Sequence, residues 1–481
     1  MAKGNRSVRT WVKSRFSNAD LGDTRRTKRL IQVVCAMASD PQGSIPRQNH
    51  YRAAIKGAYR LFHCEEVTFK SVSQSHWDHT RKLAKECPVV LMIQDTTYLS
   101  YLNHPATEGL GRFGRDDLGL LLHSVLAVEP QEDGGGPVVG GRVLGVAHAA
   151  LWAREGEVVG TGKQRAVKRS SDDRESMRWS NALQEVGPAP HNSRYIHVGD
   201  RESDIFDLYE QSQQLSNCGF VIRLMRERNA CLGHHTQTLT SSQRPKTSLK
   251  EICRQMPKLG TTPLWIAPRG GRKGRWATLA VAGGAVTIYS PWFGTGGSRT
   301  ARPLCCWAVR AWEINPPPGA QPLEWMLLTS EPINQLSDAL RVSGYYGLRW
   351  MIEEYHQCLK SGCKVEERQL ESADRLGPFI GIATAIAARL LQLKNEVRLT
   401  PDRPAIQVVD AELVQLLCRI IKAKPKHLTI RRFTHEVARM GGFMARKSDG
   451  DPGWKTLWHG WQQLTLIHRG YQLGSGKFRS G

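Results

Sequence analysis

The sequence predicts an α/β protein with a mixed-sheet core between two helical ends. Three observations carry this reading. Residues 1–60 fall into short helix-like segments such as 27–39 and 52–63, and four apolar runs of strand length lie between residues 89 and 198. Everything after residue 360 is mostly helical, including a strongly apolar stretch at 379–393. A chain of 481 residues has room for two to four domains with substantial cores. We place a helical domain at 1–70, a sheet-based domain at 71–390 with a β-rich insertion at about 219–330, and a helical domain at 391–481.

Charge narrows the function classes. Lys and Arg outnumber Asp and Glu by 67 to 44, a formal net charge of +23, which is the footprint of a polyanion partner. Nucleic acid is the first candidate. A membrane surface is the rival, but no apolar run reaches the length of about 18 residues that spans a bilayer, and no terminal helix carries a basic amphipathic stripe. The opening MAKGNRSVRT has no apolar export core, so a cytosolic protein is expected. The 11 cysteines include no CxxC pair, which supports neither a disulfide framework nor a zinc ribbon. His356, Cys358 and Cys363 lie close in sequence, as do Cys231, His234 and His235, yet each group lacks the second ligand pair of a structural zinc.

The first 60 residues hold 13 Lys or Arg against three Asp. Such runs are often only a solvated helical face. Here LGDTRRTKRL puts Arg25, Arg26 and Arg29 on neighbouring turns, and GAYR adds Tyr59 and Arg60, a mixture suited to phosphate contacts with some reading of base edges. This end is expected to be a compact DNA-binding domain.

Next, Val89–Ile93 reads as a buried strand ending in Gln94 and Asp95, so Asp95 is expected at the strand's exit. Runs at 123–129 and 142–153, joined by turn-rich QEDGGGPVVGG, complete an antiparallel meander. A polar stretch from 154 to 171 precedes a helix in DDRESMRWSNALQEV, and a fourth strand at 195–198 runs into Asp200 immediately before another helix. A lone Asp at a strand end is usually a turn former or helix cap. Two at equivalent places suggest more: if the strands are neighbours, Asp95 and Asp200 face each other. Residues 219–330 are β-like with basic Gly-rich joints such as PRGGRKGR, and end at PLEWMLLTSEP.

YGLRWMIEEYHQCLK at 346–360 sorts into two faces as a helix. At about 100° per residue, Tyr346, Arg349, Glu353 and Lys360 share a wedge of roughly 60°, opposite Leu348, Met351, Ile352, Tyr355 and Leu359. Glu354 points away from the polar wedge. Alone, an i,i+4 Arg/Glu pair is an ordinary solvated face. Packed beside Asp95 and Asp200, Glu353 completes three carboxylates able to chelate two hard cations for phosphoryl transfer on nucleic acid, with Arg349 and Lys360 on phosphates and Trp350 available for stacking.

These residues resemble the bacterial cut-and-paste DDE transposases of the insertion-sequence-four type. The signature YxxRxxxExxxxxxK is satisfied by Tyr346, Arg349, Glu353 and Lys360, the first-Asp motif by DTTYLSY and the second by GDRESDI. Further matches are LGDTRRTKRL, GAYR, HSVL, EINPPPG, PLEWMLLTSEP, RLLQL and GGFM, spread almost end to end. The resemblance implies an RNase H-like core on which Asp95, Asp200 and Glu353 bind two Mg²⁺ ions, with Mn²⁺ as substitute. It implies that Tyr346, Arg349 and Lys360 hold DNA phosphates, and that Trp325 and Trp350 line a pocket for a base flipped during hairpin formation. The implied partners are double-stranded DNA, as transposon ends and target, and a second copy of the chain. A metal-dependent nuclease on the same fold, or a DNA-binding regulator of transposition, are the alternative readings. Near Gly134, before Glu175 and in much of the first 60 residues the sequence departs from the family pattern, so the end sequence recognised is not implied.

Overall fold

The structure is a computed structural model and describes residues 8–49, 51–113, 117–132, 137–154, 175–268, 273–291, 300–446 and 449–474. The chain opens with helices α1 (Val8–Phe16), α2 (Thr24–Ser39), α3 (Ile45–Gln48), α4 (Arg52–Phe62) and α5 (Phe69–Ala84). Asp23 starts α2 by accepting a hydrogen bond from the Arg25 amide at 2.7 Å. The buried residues Leu30, Val33, Val34 and Met37 recur at helical spacing. Among the described residues this helical end has no core of its own: Trp11, Phe16, Leu30 and Phe62 belong to the same buried cluster as Leu91, Ile93 and Phe379 of the centre.

The strands are β1 (Val89–Ser100), β2 (Gly111–Phe113), β3 (Asp117–Glu132), β4 (Val138–Trp152), β5 (Arg194–Gly199), β6 (Cys218–Arg223), β7 (Ala230–Leu232), β8 (Leu239–Thr240), β9 (Lys258–Ile266), β10 (Arg275–Tyr289), β11 (Thr300–Ala301), β12 (Pro303–Ile314) and β13 (Glu324–Thr329). Among the described residues β8 and β11 pair only with each other, and the other 11 strands form one sheet. Its centre runs β4-β3-β1-β5-β6, with β3 antiparallel to β1 and β4 antiparallel to β3, while β5 lies parallel to β1 and β6 parallel to β5. This is the RNase H-like order. β6 continues into antiparallel β13, β12 and β10, so the segment expected as an insertion from 219 begins with the fifth strand of the central sheet and lengthens that sheet.

Alternation along the strands divides the core by face. Leu91, Ile93, Ile196, Val198 and Leu327 join one cluster, whereas Val90, Met92 and Tyr195 join another and Met326 and Leu328 a third. Helices α6 (Arg178–Val186), α7 (Phe206–Gln214) and α8 (Leu249–Gln255) cover the face of the latter two clusters, through Trp179, Leu183, Leu208 and Ile252 among others. Helices α9 (Leu336–Gly347), α10 (Trp350–Gln357) and α11 (Ala373–Leu399) cover the first, through Val342, Ile352 and Ile380.

α11 corrects one expectation from the sequence. Its 27 residues contain an 18-residue window of mean hydropathy 1.5, long and apolar enough to cross a bilayer, but 83% of that window is buried within the fold, where α11 packs on α5 and β4. A reading by runs begins only after Pro378, which sits inside the helix. The boundaries drawn at residues 70 and 390 fall inside α5 and α11. Beyond α11, helices α12 (Ala411–Ile420), α13 (Ile430–Met440) and α14 (Trp454–Gly474) surround a separate cluster of Val397, Val414, Leu417, Phe433 and Leu464. α13 and α14 meet at Gly441 and Gly460, where a Cβ would collide with the Thr456 and Val437 carbonyls respectively.

Candidate active site

The site is built on the register of two parallel strands. Ile93 of β1 pairs with Val198 of β5, and two residues further along each chain come Asp95 and Asp200. Both continue the alternation that puts Ile93 and Val198 on the face covered by α10. Asp95 is not at the exit of its strand. β1 runs on to Ser100 because the β-favouring Thr96, Thr97 and Tyr98 stay paired with β3, so Asp95 lies mid-strand. Asp200 does leave its strand there, capping a single 3₁₀ turn at Arg201–Ser203. Each carboxylate accepts a nearby amide: Asp95 from Thr96 at 2.7 Å, Asp200 from Glu202 at 2.9 Å.

The helix expected over 346–360 is interrupted twice. α9 ends at Gly347, a turn at 348–349 re-aims the chain into α10, and Cys358–Gly362 form a π-turn that carries Lys360. Arg349 and Glu353 still meet across one turn, with Nη2 of Arg349 2.5 Å from Oε1 of Glu353 and Nη1 3.8 Å from Oδ2 of Asp95. Burial, with the charge of Asp200 and then Glu353, pushes the Asp95 carboxyl up to about 7 against the opposing Thr96 amide and Arg349. Three acids therefore share one electrostatic site. Among the described residues no three His, Cys, Asp or Glu side chains converge closely enough to hold a metal as they stand. The Arg349 guanidinium lies between two of the acids, taking Glu353 and leaning on Asp95. Oxygen donors with surplus negative charge are the set a hard divalent cation prefers, and in chemistry these three carboxylates fit one.

Lys360 is hydrogen-bonded to the Tyr98 carbonyl and lies 3.2 Å from Glu366, which also accepts from the Ser100 amide at 2.9 Å. Tyr346 is half-buried, with the Arg349 guanidinium 6.0 Å from its ring centre, and Trp350 is 54% exposed. Trp325 is half-buried on β13, packed against the cluster on the face that bears Asp95 and Asp200. At the N-terminal end Arg25 is exposed and pairs with Asp23 at 2.9 Å. Arg26 bonds the Leu21 carbonyl and Glu66, both at 2.9 Å, and Arg29 lies over Gly57 of α4. Tyr59 is half-buried and Arg60 exposed, some way along the same helix.

Sequence reasoning missed three supports. Glu354 is the buried partner of Lys394 at 2.7 Å and Arg398 at 2.9 Å, bolting α10 to α11. Asp204, fully buried, accepts from the Tyr209 hydroxyl and from the Met225 and Arg226 amides, and pairs with Arg228, so the turn after Asp200 is fixed to the loop after β6. Arg178 is the third. Spacing gave no sign of these, because their partners are distant in sequence. Of the cysteine and histidine groups, Cys358 and Cys363 are core thiols, the latter pushed up to about 12 by burial. His234 and His235 each face a backbone carbonyl, of Cys306 at 3.0 Å and Leu232 at 2.9 Å. The polar stretch at 155–171 and the loop around Gly134 lie outside the described residues.

Two family models match the chain. Transposase DNA-binding matches residues 8–67, which are α1 to α4, and Transposase Tn5 dimerisation domain matches residues 385–477, from mid-α11 onward. The matches support a DNA transposase that binds DNA through one flank and dimerises through the other.

Proposed function

We propose that this chain is a cut-and-paste DNA transposase of the insertion-sequence-four type, akin to the Tn5 transposase, acting in the bacterial cytoplasm. It binds transposon ends, pairs them as a homodimer, nicks their 3′ ends, forms and opens hairpins, and joins the freed 3′-OH ends to target DNA. What supports this reading is Arg349 pairing with Glu353 and approaching Asp95, next to the β1–β5 pairing that leads to Asp95 and Asp200, in a chain whose two flanks match transposase domains.

Asp95, Asp200 and Glu353 would hold two Mg²⁺ ions, which supply an activated water or 3′-OH and stabilise the attacking and leaving oxygens. The protein's own part is positional. The paired strands fix Asp95 against Asp200, and α10 brings Glu353 down on the same face. Arg349 exchanges Glu353 for a DNA phosphate, a bidentate partner of similar geometry. Lys360 and Tyr346 hold the backbone beyond it, while Trp325 and Trp350 stack on the base displaced when the cleaved end folds back.

The test uses DNA carrying the inverted repeats that flank the gene, incubated with protein and Mg²⁺ and resolved into nicked, hairpin, excised and strand-transfer products. Asp95→Ala, Asp200→Ala and Glu353→Ala should each abolish nicking and leave end binding largely intact. Near-normal nicking by any of the three would remove that residue from the site. Nicking without strand transfer by the unaltered protein would make it a nuclease.

A further inference from the structure

We infer that Arg178 is the positioning residue that holds Asp95 and Asp200 at a fixed separation, by gripping the two residues whose amides hold their carboxylates; this rests on the proposed function above.

The contacts repeat on both sides. Thr96 gives its amide to Asp95 at 2.7 Å and its hydroxyl oxygen accepts from Nε of Arg178 at 2.8 Å. Glu202 gives its amide to Asp200 at 2.9 Å and its carboxylate accepts from Nη2 of Arg178 at 2.8 Å. The third nitrogen, Nη1, donates to the Glu175 carbonyl at 2.9 Å, anchoring the guanidinium at the start of α6. A planar fork of fixed donors suits this task, because its two arms cannot move independently. The carboxylates lie on one face of the sheet and the clamp works from the other, so Arg178 stays clear of the space a cation or DNA would enter.

The clamp is backed by a polar chain through the sheet. Nε of Arg178 can only donate, so the Thr96 hydroxyl sends its own proton to Nδ1 of His123 at 2.9 Å. His123 then carries its proton on Nε2 and donates to the Gln94 carbonyl oxygen at 3.1 Å, and the Gln94 amide donates to Nδ1 of His197 at 2.8 Å. His123, Gln94 and His197 sit on β3, β1 and β5, each nearly or wholly buried. Burial lowers both imidazoles, His197 to about 3, so the chain keeps one direction across the working pH range. Arg178 heads that chain and its order depends on the donor it supplies.

The experiment measures Mn²⁺ binding by calorimetry to the protein carrying an uncleavable end oligonucleotide, alongside circular dichroism. Arg178→Ala should weaken Mn²⁺ binding roughly tenfold, the usual consequence of losing a group that orients ligands. Glu202→Gln should weaken it less, and the double variant should be no worse than Arg178→Ala alone, since both break one unit. Unchanged affinity in a folded Arg178→Ala, or additive losses, would overturn the assignment. Should that variant not fold, Arg178→Lys and Glu202→Gln keep the bulk, and wild-type affinity in either would overturn it. Asp95→Ala separates the two readings: if the unaltered protein binds Mn²⁺ no better than Asp95→Ala, the site itself fails and the clamp with it.

Discussion

Arg349 donates to Glu353 at 2.5 Å while its other terminal nitrogen stands 3.8 Å from Asp95, so one cation already serves two of the three acids. A DNA phosphate that draws Arg349 away frees those acids for metal, and the two ligands must then favour each other by the same factor. End DNA should tighten Mn²⁺ binding by about tenfold, within the ordinary range of such coupling. In Arg349→Ala the DNA-free protein should bind Mn²⁺ more tightly, and DNA should add little. Calorimetry with and without an uncleavable end oligonucleotide reads both, and an unchanged coupling in the variant would count against the exchange.

Asp95 keeps its proton up to about pH 7 in the folded chain against 3.8 ordinarily. Between those values the native state binds more protons than the unfolded one, so stability without metal should fall as pH rises from about 4 to 7 and level off above. The loss is up to about 4 kcal/mol. Asp95→Asn should remove most of that slope and melt at a higher temperature at pH 8. Melting curves in chelator from pH 4.5 to 8.5 decide this, and a slope shared by both proteins would place the titration elsewhere.

Trp325 is half-buried, so its removal trades packing against stacking. If its work is on a displaced base, Trp325→Ala loses the 1–3 kcal/mol or so of that stack, keeps first-strand nicking and loses most hairpin and excised product. Equal loss of all products in a poorly folded variant would make Trp325 a core residue.

The N-terminal arginines should separate into two kinds. Arg25 and Arg60 are exposed, and each alanine variant should flatten the salt dependence of end binding by about one phosphate contact without altering the melting temperature. Arg26 is tied to Leu21 and Glu66, and Arg26→Ala should lower the melting temperature. Salt titrations and melts on the same preparations distinguish the two, and the reverse pattern would reassign the DNA-facing side.

Gly460 lets α14 sit against the Val437 carbonyl of α13. Gly460→Ala must push α14 off α13, with the cost of overpacking at about 1–3 kcal/mol. Sedimentation should show weakened self-association with end DNA, and an unchanged dimer would put the contact surface away from this crossing.

The alternating faces and the pairing of Arg349 with Glu353 were legible because each rests on local spacing. The continuation of β1 past Asp95 was not, since it depends on β3 holding Thr96 to Ser100 in register. Nor was the turn at 348–349: a wheel drawn for an unbroken helix preserves Arg349 beside Glu353 but gives no sign of the π-turn that carries Lys360 to the Tyr98 carbonyl and Glu366. Arg178 was invisible for the opposite reason. Its partners Thr96 and Glu202 lie 82 and 24 residues away and meet it only because the sheet brings β1 beside β5.

The continuity of the sheet from β5 through β6 to β13 also sets a rule of parity. Trp325 and Leu327 look toward the acids, Met326 and Leu328 toward the opposite layer. Adding or deleting one residue within 324–329 would exchange these sets and turn the indole away from the site, while a two-residue change would restore it. The six residues of β13 therefore tolerate only even steps in length.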